Sequence, residues 1–195
     1  MPVHEAAHAF AANRLGDDTA KKMGRLTLNP VKHIDPIGAV MLIVSSLVGF
    51  GFGWAKPVPI NPNKFKNRKL GMGLSALAGP VSNFAMAYLF MMAMKLTVVL
   101  DGSEMVFKFL TYAVILNIGL AAFNFLPIPP LDGSRIFSLF LPEKAYFGIM
   151  KYEKIIAAVL MLLILSNILD PVIAFMNEML ILLLDILTGY LGRIY

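Results

Sequence analysis

Two histidines and a glutamate fall within five consecutive residues, His4-Glu5-Ala6-Ala7-His8. On a helix, residues four apart share a face, so both imidazoles can reach one metal ion. This pattern suits Zn²⁺: the imidazoles bind the ion, and the glutamate between them lies close enough to the open coordination position to take a proton from a zinc-bound water. A catalytic zinc takes three protein ligands, so one more must come from elsewhere. The chain has no cysteine, which leaves histidine and carboxylate as donors. Ala6, Ala7, Ala9, Phe10, Ala11 and Ala12 are apolar or good helix formers, so the polar groups sit in a segment fit for a low-dielectric interior. The bland alternative is a frayed, partly solvated N-terminal helix with incidental histidines.

The third ligand is sought where polar groups meet irregular backbone. Pro127-Ile128-Pro129-Pro130-Leu131-Asp132-Gly133-Ser134-Arg135 ends an apolar run with three prolines that forbid a regular helix and a glycine that permits an unusual turn. Irregular backbone at membrane depth is tolerated only where protein or a water-filled cavity satisfies it. Asp132 is therefore the natural candidate, against the plain reading of a proline-rich turn capped by Asp-Gly outside the membrane. His33 reads as a polar contact or turn residue near Asp35 rather than a fourth ligand, because a catalytic zinc needs an open position. Met91-Met92-Ala93-Met94 reads as lipid-facing or packing material at a helix end rather than a soft-metal path.

The elements that must position these groups belong to a membrane. With 58% hydrophobic residues among 195 and a mean hydropathy of +0.73, the chain is far more apolar than soluble domains, at about 45–50%. The formal charge of +5 comes without a nucleic-acid motif; the lysines and arginines cluster between apolar runs and read as topology signals, so nucleic acid is excluded as a partner. The pattern predicts an all-α membrane protein, a polytopic transmembrane helix bundle with a short β or re-entrant element after the first helix. It forms a single domain over 1–195. A short motif helix occupies 3–15 and the strand or re-entrant region 24–62, with the strand at 24–30. Spans follow at 74–94, 106–126 and 155–175, then an interfacial or packed helix at 176–191. Asn83 lies within the 74–94 span and needs a polar partner there.

Charge and geometry choose the topology. If 37–54 crossed the membrane, basic loops would lie on both sides, against the positive-inside pattern, and Asp132 would emerge on the face opposite His8. If 37–54 re-enters and returns, the basic loops share one side and Asp132 comes to the face nearest His8. The re-entrant reading repairs both.

The order His4-Glu5-Ala6-Ala7-His8, Gly24-Arg25-Leu26-Thr27-Leu28-Asn29-Pro30, Lys56-Pro57-Val58-Pro59, Ala78-Gly79-Pro80-Val81-Ser82-Asn83 and Asn124-Phe125-Leu126-Pro127-Ile128-Pro129-Pro130-Leu131-Asp132-Gly133 resembles the site-2-type zinc metalloproteases in their small form without a PDZ domain. The resemblance implies a zinc-dependent intramembrane endopeptidase acting on transmembrane protein substrates within the lipid bilayer. One Zn²⁺ is then held by His4, His8 and Asp132, with Glu5 as the catalytic base and Asn83 as an oxyanion or substrate contact. It implies that the 25–30 stretch holds substrate in extended form, and a multi-pass protein of the cell membrane whose basic loops and active-site opening face the cytoplasm. Members usually carry an apolar run before the histidine motif, whereas Met1-Pro2-Val3 alone precede it here, so the first span is expected to be truncated. A catalytically inactive membrane scaffold and a metal or proton transporter are the alternatives; a transporter should show ionisable groups along a pathway and often repeated halves.

Overall fold

The computed structural model describes residues 1–47, 53 and 55–189. Parts of two expected segments, 48–52 and 54 of the first and 190–191 of the last, lie outside the described residues. The chain divides into two compact units, Met1–Gly79 and Pro80–Tyr195.

The first unit opens with α1, Pro2–Arg14. Proline is tolerated in its first turn because the N–H there has no intrahelical acceptor, alanines supply helix propensity, and Arg14 in the last turn complements the helix dipole. The chain leaves through Gly16 at a φ of 111°, a region that side chains with a β-carbon resist. The single turn α2, Thr19–Lys22, follows.

Between these helices Asp17 is fully buried. Its carboxylate accepts the N–H and hydroxyl of Thr19 and the N–H of Asn61, the last at 2.6 Å, with the Lys64 ammonium 3.8 Å away. Burial pushes the Asp17 pKa up, but the hydrogen bonds from Thr19 and Asn61 together with Lys64 outweigh it and hold the carboxyl below its ordinary value. Asp18, more exposed, is lowered to about 2 by hydrogen bonds from Lys22 and Lys64. A carboxyl depressed in the folded state contributes stability that is present above its unfolded pKa, about 3.9, and is lost as pH falls through the folded value. The contribution of these groups should therefore be constant from roughly pH 5 to 8 and fade below about pH 4. Asp17→Ala strips two N–H groups of their acceptor, so we expect it to cost about 1–3 kcal/mol at neutral pH and to blunt the acid sensitivity. Melting curves of both proteins in detergent, at neutral pH and at about pH 3.5, measure this.

A strand is predicted over 24–30, but those residues form a turn at Gly24, a bend at Leu26 and Thr27 and irregular backbone, leading into a 3₁₀ turn at Pro30–His33 whose Val31 N–H is capped by the Asn29 side chain. The reason lies in the facing segment. Arg25 reaches it through its side chain, Nη2 donating to the carbonyls of Lys56 at 2.7 Å and Pro57 at 3.3 Å. Pro57 and Pro59 have no N–H to offer, so a ladder there would lose donors at alternate positions. Among the described residues, pairing is reduced to one antiparallel bridge, Ile34 with Ala55, beside the Lys56 N–H donating to His33 O at 2.9 Å.

That bridge joins the two flanks of α3, Pro36–Leu47, which Asp35 caps by accepting the Gly38 N–H at 2.9 Å. At 1.5 Å per residue α3 is about 18 Å long, short of a hydrocarbon core of ~30 Å. Its flanks meet, so the chain comes back to where it left. A second 3₁₀ turn, Pro62–Lys64, precedes α4, Arg68–Val99, within which the unit boundary falls.

In the second unit α5 spans Glu104–Phe125, with Ser103 accepting the Met105 N–H as its cap. It is followed by α6, Asp132–Phe137, a 3₁₀ turn at Ser138–Phe140, α7, Glu143–Met150, α8, Glu153–Leu165, and α9, Asp170–Leu187. α4 and α5 are long and apolar enough to cross a membrane, and α8 with α9 meet both conditions only together, as a pair bent by 85°. Two or three such spans in a largely helical chain make this a membrane protein. The expected stretch over 155–175 takes in most of α8 and the first turns of α9, with the bend between them. Asn167 turns the chain with a φ of 58°, and Pro171 opens α9 from its first turn rather than closing α8.

α4, α5 and α9 share a core of Ala87, Met91, Met94, Leu110, Val114, Ile118 and Leu184. The methionines of 91–94 thus pack in part: Met91 and Met94 are buried, while Met92 is exposed. Lys95 is buried too, its ammonium donating to Thr188 Oγ1 at 2.7 Å and to Gly189 O at 3.0 Å, with Asp185 3.7 Å away.

Candidate metal centre

His4, Glu5 and His8 are all buried on α1, each less than a tenth exposed. One helical turn stacks the two imidazoles edge to face, centroids 4.5 Å apart and planes at 89°, and brings their Nε2 atoms to 3.0 Å. His8 Nδ1 lies 2.8 Å from the carbonyl of Ser75 on α4. A carbonyl only accepts, so Nδ1 carries the proton and donates, leaving the Nε2 lone pair directed at the His4 side. A backbone carbonyl behind a histidine is a common support for a metal-binding imidazole, fixing both tautomer and ring orientation.

These residues fit a zinc ion. Two nitrogens bound tetrahedrally at 2.0–2.1 Å would lie about 3.3 Å apart, close to the separation observed. The space around the rings is also guarded. A β-carbon at Gly79 would collide with the ring of His8 and lie 2.6 Å from His4 Cε1, so helix α4 can approach the histidines only because that residue is glycine. Gly79 was legible in the sequence only as part of a break in an apolar run; a glycine one residue from a proline inside a long helix is costly enough to signal a packing reason.

Glu5 is held from the other side. Its Oε2 accepts the N–H of Val58 at 2.9 Å, and Val58 packs with Ala9, Ala20 and Leu26. The Lys56–Pro59 segment therefore lies against the motif helix and grips the carboxylate by its backbone. No side-chain pattern could have announced this contact.

His33 is buried, and its Nε2 donates to Thr27 O at 2.8 Å, in keeping with a polar contact that fixes the turn. Asp132 belongs to the second unit, as the first residue of α6. Its turn is closed by the N–H of Leu131 on Ile128 O and by Ser134, whose N–H and hydroxyl both reach Leu131 O. A β-carbon at Gly133 would collide with the carbonyl oxygens of Phe125 and Leu126, so the turn can fold back on the end of α5 only with glycine there. Asn83 is buried on α4 in the same unit. Asn117 and Asn124 donate to their own helix, to Ala113 O and Leu120 O.

Residues 102–167 match the family model Peptidase family M50. The chain is 44% identical over 146 residues to a protein of Bacillus subtilis named as a candidate zinc metalloprotease, YwhC, covering 72% of this chain and 64% of that one. It is 33% identical over 135 residues to one of Mycolicibacterium smegmatis named in the same way, Rip2, covering 67% of this chain and 50% of that one. The chain thus spans between half and two thirds of the length of these relatives. No solved structure matches it.

Proposed function

From this Peptidase M50 sequence, of the site-2 protease family, we propose a zinc-dependent intramembrane endopeptidase that cleaves transmembrane or membrane-proximal protein segments. The observation that carries the reading is the buried pair of imidazoles with Nε2 atoms 3.0 Å apart, one oriented by the Ser75 carbonyl, beside a buried glutamate. Asp132 supplies the third ligand in this reading, giving the two-histidine, one-carboxylate donor set of catalytic zinc. When bound, the zinc activates a water and polarises the scissile carbonyl.

Glu5 does the proton work. It accepts the proton of the attacking water as the water oxygen bonds to the carbonyl carbon, then delivers that proton to the departing amine nitrogen as the C–N bond breaks. Asn83 donates a hydrogen bond to the carbonyl oxygen as negative charge gathers there, an effect worth about 3–4 kcal/mol for a well-placed donor. A helical substrate hides its amides, so it must unwind; the bends over 24–30 offer an edge for an extended peptide. The basic residues of the two loops flanking α3 support a reading in which that side faces the cytoplasm and the stretch over 37–54 enters and returns.

Metal content and cleavage together test this. Purified protein should carry one zinc per chain and cut a transmembrane reporter in vesicles. Chelation should stop cleavage and added zinc restore it, and Asp132→Ala should lose both metal and activity. Cleavage indifferent to chelation, or an Asp132→Ala protein with full zinc and full activity, would reject the ligand set.

A further inference from the structure

The contacts around Glu5 continue outward to a residue that the chemistry above does not use. Arg25 is 7% exposed, and a guanidinium is seldom buried without a purpose in its hydrogen bonds. Its Nη2 donates to two successive carbonyls, Lys56 O at 2.7 Å and Pro57 O at 3.3 Å. The next residue, Val58, donates its N–H to Glu5 Oε2 at 2.9 Å. Arg25 is itself fixed by its backbone, whose N–H bonds Ala20 O at 2.8 Å. The order is then α2, Arg25, the Lys56–Pro59 segment, and the Glu5 carboxylate, all within the first unit.

We propose that Arg25 is a positioning residue for the general base: by clamping the carbonyls of Lys56 and Pro57 it aims the Val58 N–H at Glu5 and so fixes the carboxylate that moves the proton. This rests on the reading of Glu5 as the base. The segment needs such a clamp because Pro57 and Pro59 can donate no backbone hydrogen bond of their own. A free loop would wander, and a carboxylate oriented by a wandering donor would lose its alignment with the water. The N–H engages one oxygen, Oε2, and so fixes the plane of the carboxylate. Lysine is a poor replacement at 25, since an ammonium on a shorter, flexible stem does not hold its donor as the rigid, planar guanidinium holds Nη2 between the two carbonyls.

The proposal is separable from the reading it rests on. Full-length wild type, Glu5→Gln, Arg25→Ala, Arg25→Lys, Val58→Pro and the Arg25→Ala/Val58→Pro double variant would be compared for zinc content, melting temperature, kcat and KM on one transmembrane reporter. Val58→Pro removes the N–H that Glu5 accepts, in a segment already rich in proline, and because it also changes the side chain packed against Ala9 and Ala20, its melting temperature and zinc content are read beside its kcat. Arg25→Ala should keep its zinc and its KM within about twofold while kcat falls roughly 10- to 100-fold, the size of loss that a misplaced catalytic group or its support produces. Val58→Pro should fall by a similar factor. The double variant should be no slower than the worse single, because both changes cut the same chain of contacts. If Arg25→Ala fails to fold, seen as lost zinc and a collapsed melting temperature, Arg25→Lys carries the same criteria. A zinc-loaded Arg25 variant with kcat within twofold of wild type overturns the clamp, and so do losses that multiply in the double variant. Full cleavage by Glu5→Gln would instead sink the assignment of the base.

Discussion

Glu5→Gln should retain one zinc per chain and lose about 10²- to 10⁴-fold in kcat, the range that general acid–base catalysis supplies. The amide keeps the size of the carboxylate and one oxygen to accept the Val58 N–H seen at 2.9 Å, so the packing of Val58 against Ala9 and Leu26 stays intact. What is lost is the basic oxygen. Neither the His4–His8 pair nor the Ser75 carbonyl behind His8 is touched by the change. Zinc content by elemental analysis and single-turnover cleavage of a transmembrane reporter measure the two sides of the expectation. A variant that cuts as fast as wild type removes Glu5 from the mechanism.

Gly79→Ala should do the opposite, losing metal first and activity with it. A methyl group there lands on the ring of His8 and against Cε1 of His4, the two rings whose nitrogens must converge. Rings on a helix can move aside only by leaving their rotamers, and His8 cannot rotate without breaking its 2.8 Å bond to Ser75 O. Disturbing the support of a metal-binding histidine typically costs 10- to 100-fold in affinity. Here both histidines are displaced at once, so at least the upper end, about 100-fold, is expected in the zinc dissociation constant. Competition with a chelator of known affinity reads it directly. Activity should recover in part at raised zinc, whereas Glu5→Gln should not respond to zinc at all.

The contrast between these variants shows how much of the site was legible in residue types. The i, i+4 histidines and the glutamate announce themselves because helical geometry and donor chemistry coincide in five residues. Asp132 is proposed by a longer route, through the prolines that break the chain between α5 and the helix it opens. Gly79 contributes by having no side chain, Ser75 and Val58 through backbone atoms, and backbone groups are the same in every residue. Among the elements, α4 and α5 were plain from their apolar length. The strand over 24–30 was not ruled out by its own alternation, since Leu26 and Leu28 satisfy the pattern. Pro57 and Pro59 decided against it from the facing segment. The break between α8 and α9 is hard to place from residue types for a related reason. Asp170-Pro171 looks like a stop, yet proline is at home in the first turn of a helix, and the reversal falls to Asn167 instead.

The buried ammonium of Lys95 sets an order of events during synthesis. Its acceptors on Thr188 and Gly189 lie 93 and 94 residues further along. At 5–20 residues per second the ribosome needs roughly 5–20 s to deliver them. For that interval the last turns of α4 carry a charge whose final partners do not yet exist, and burying an unpaired ammonium is costly. A chain that stops before Asp185 lacks every one of these partners, so completing the burial of Lys95 must wait for the last residues described.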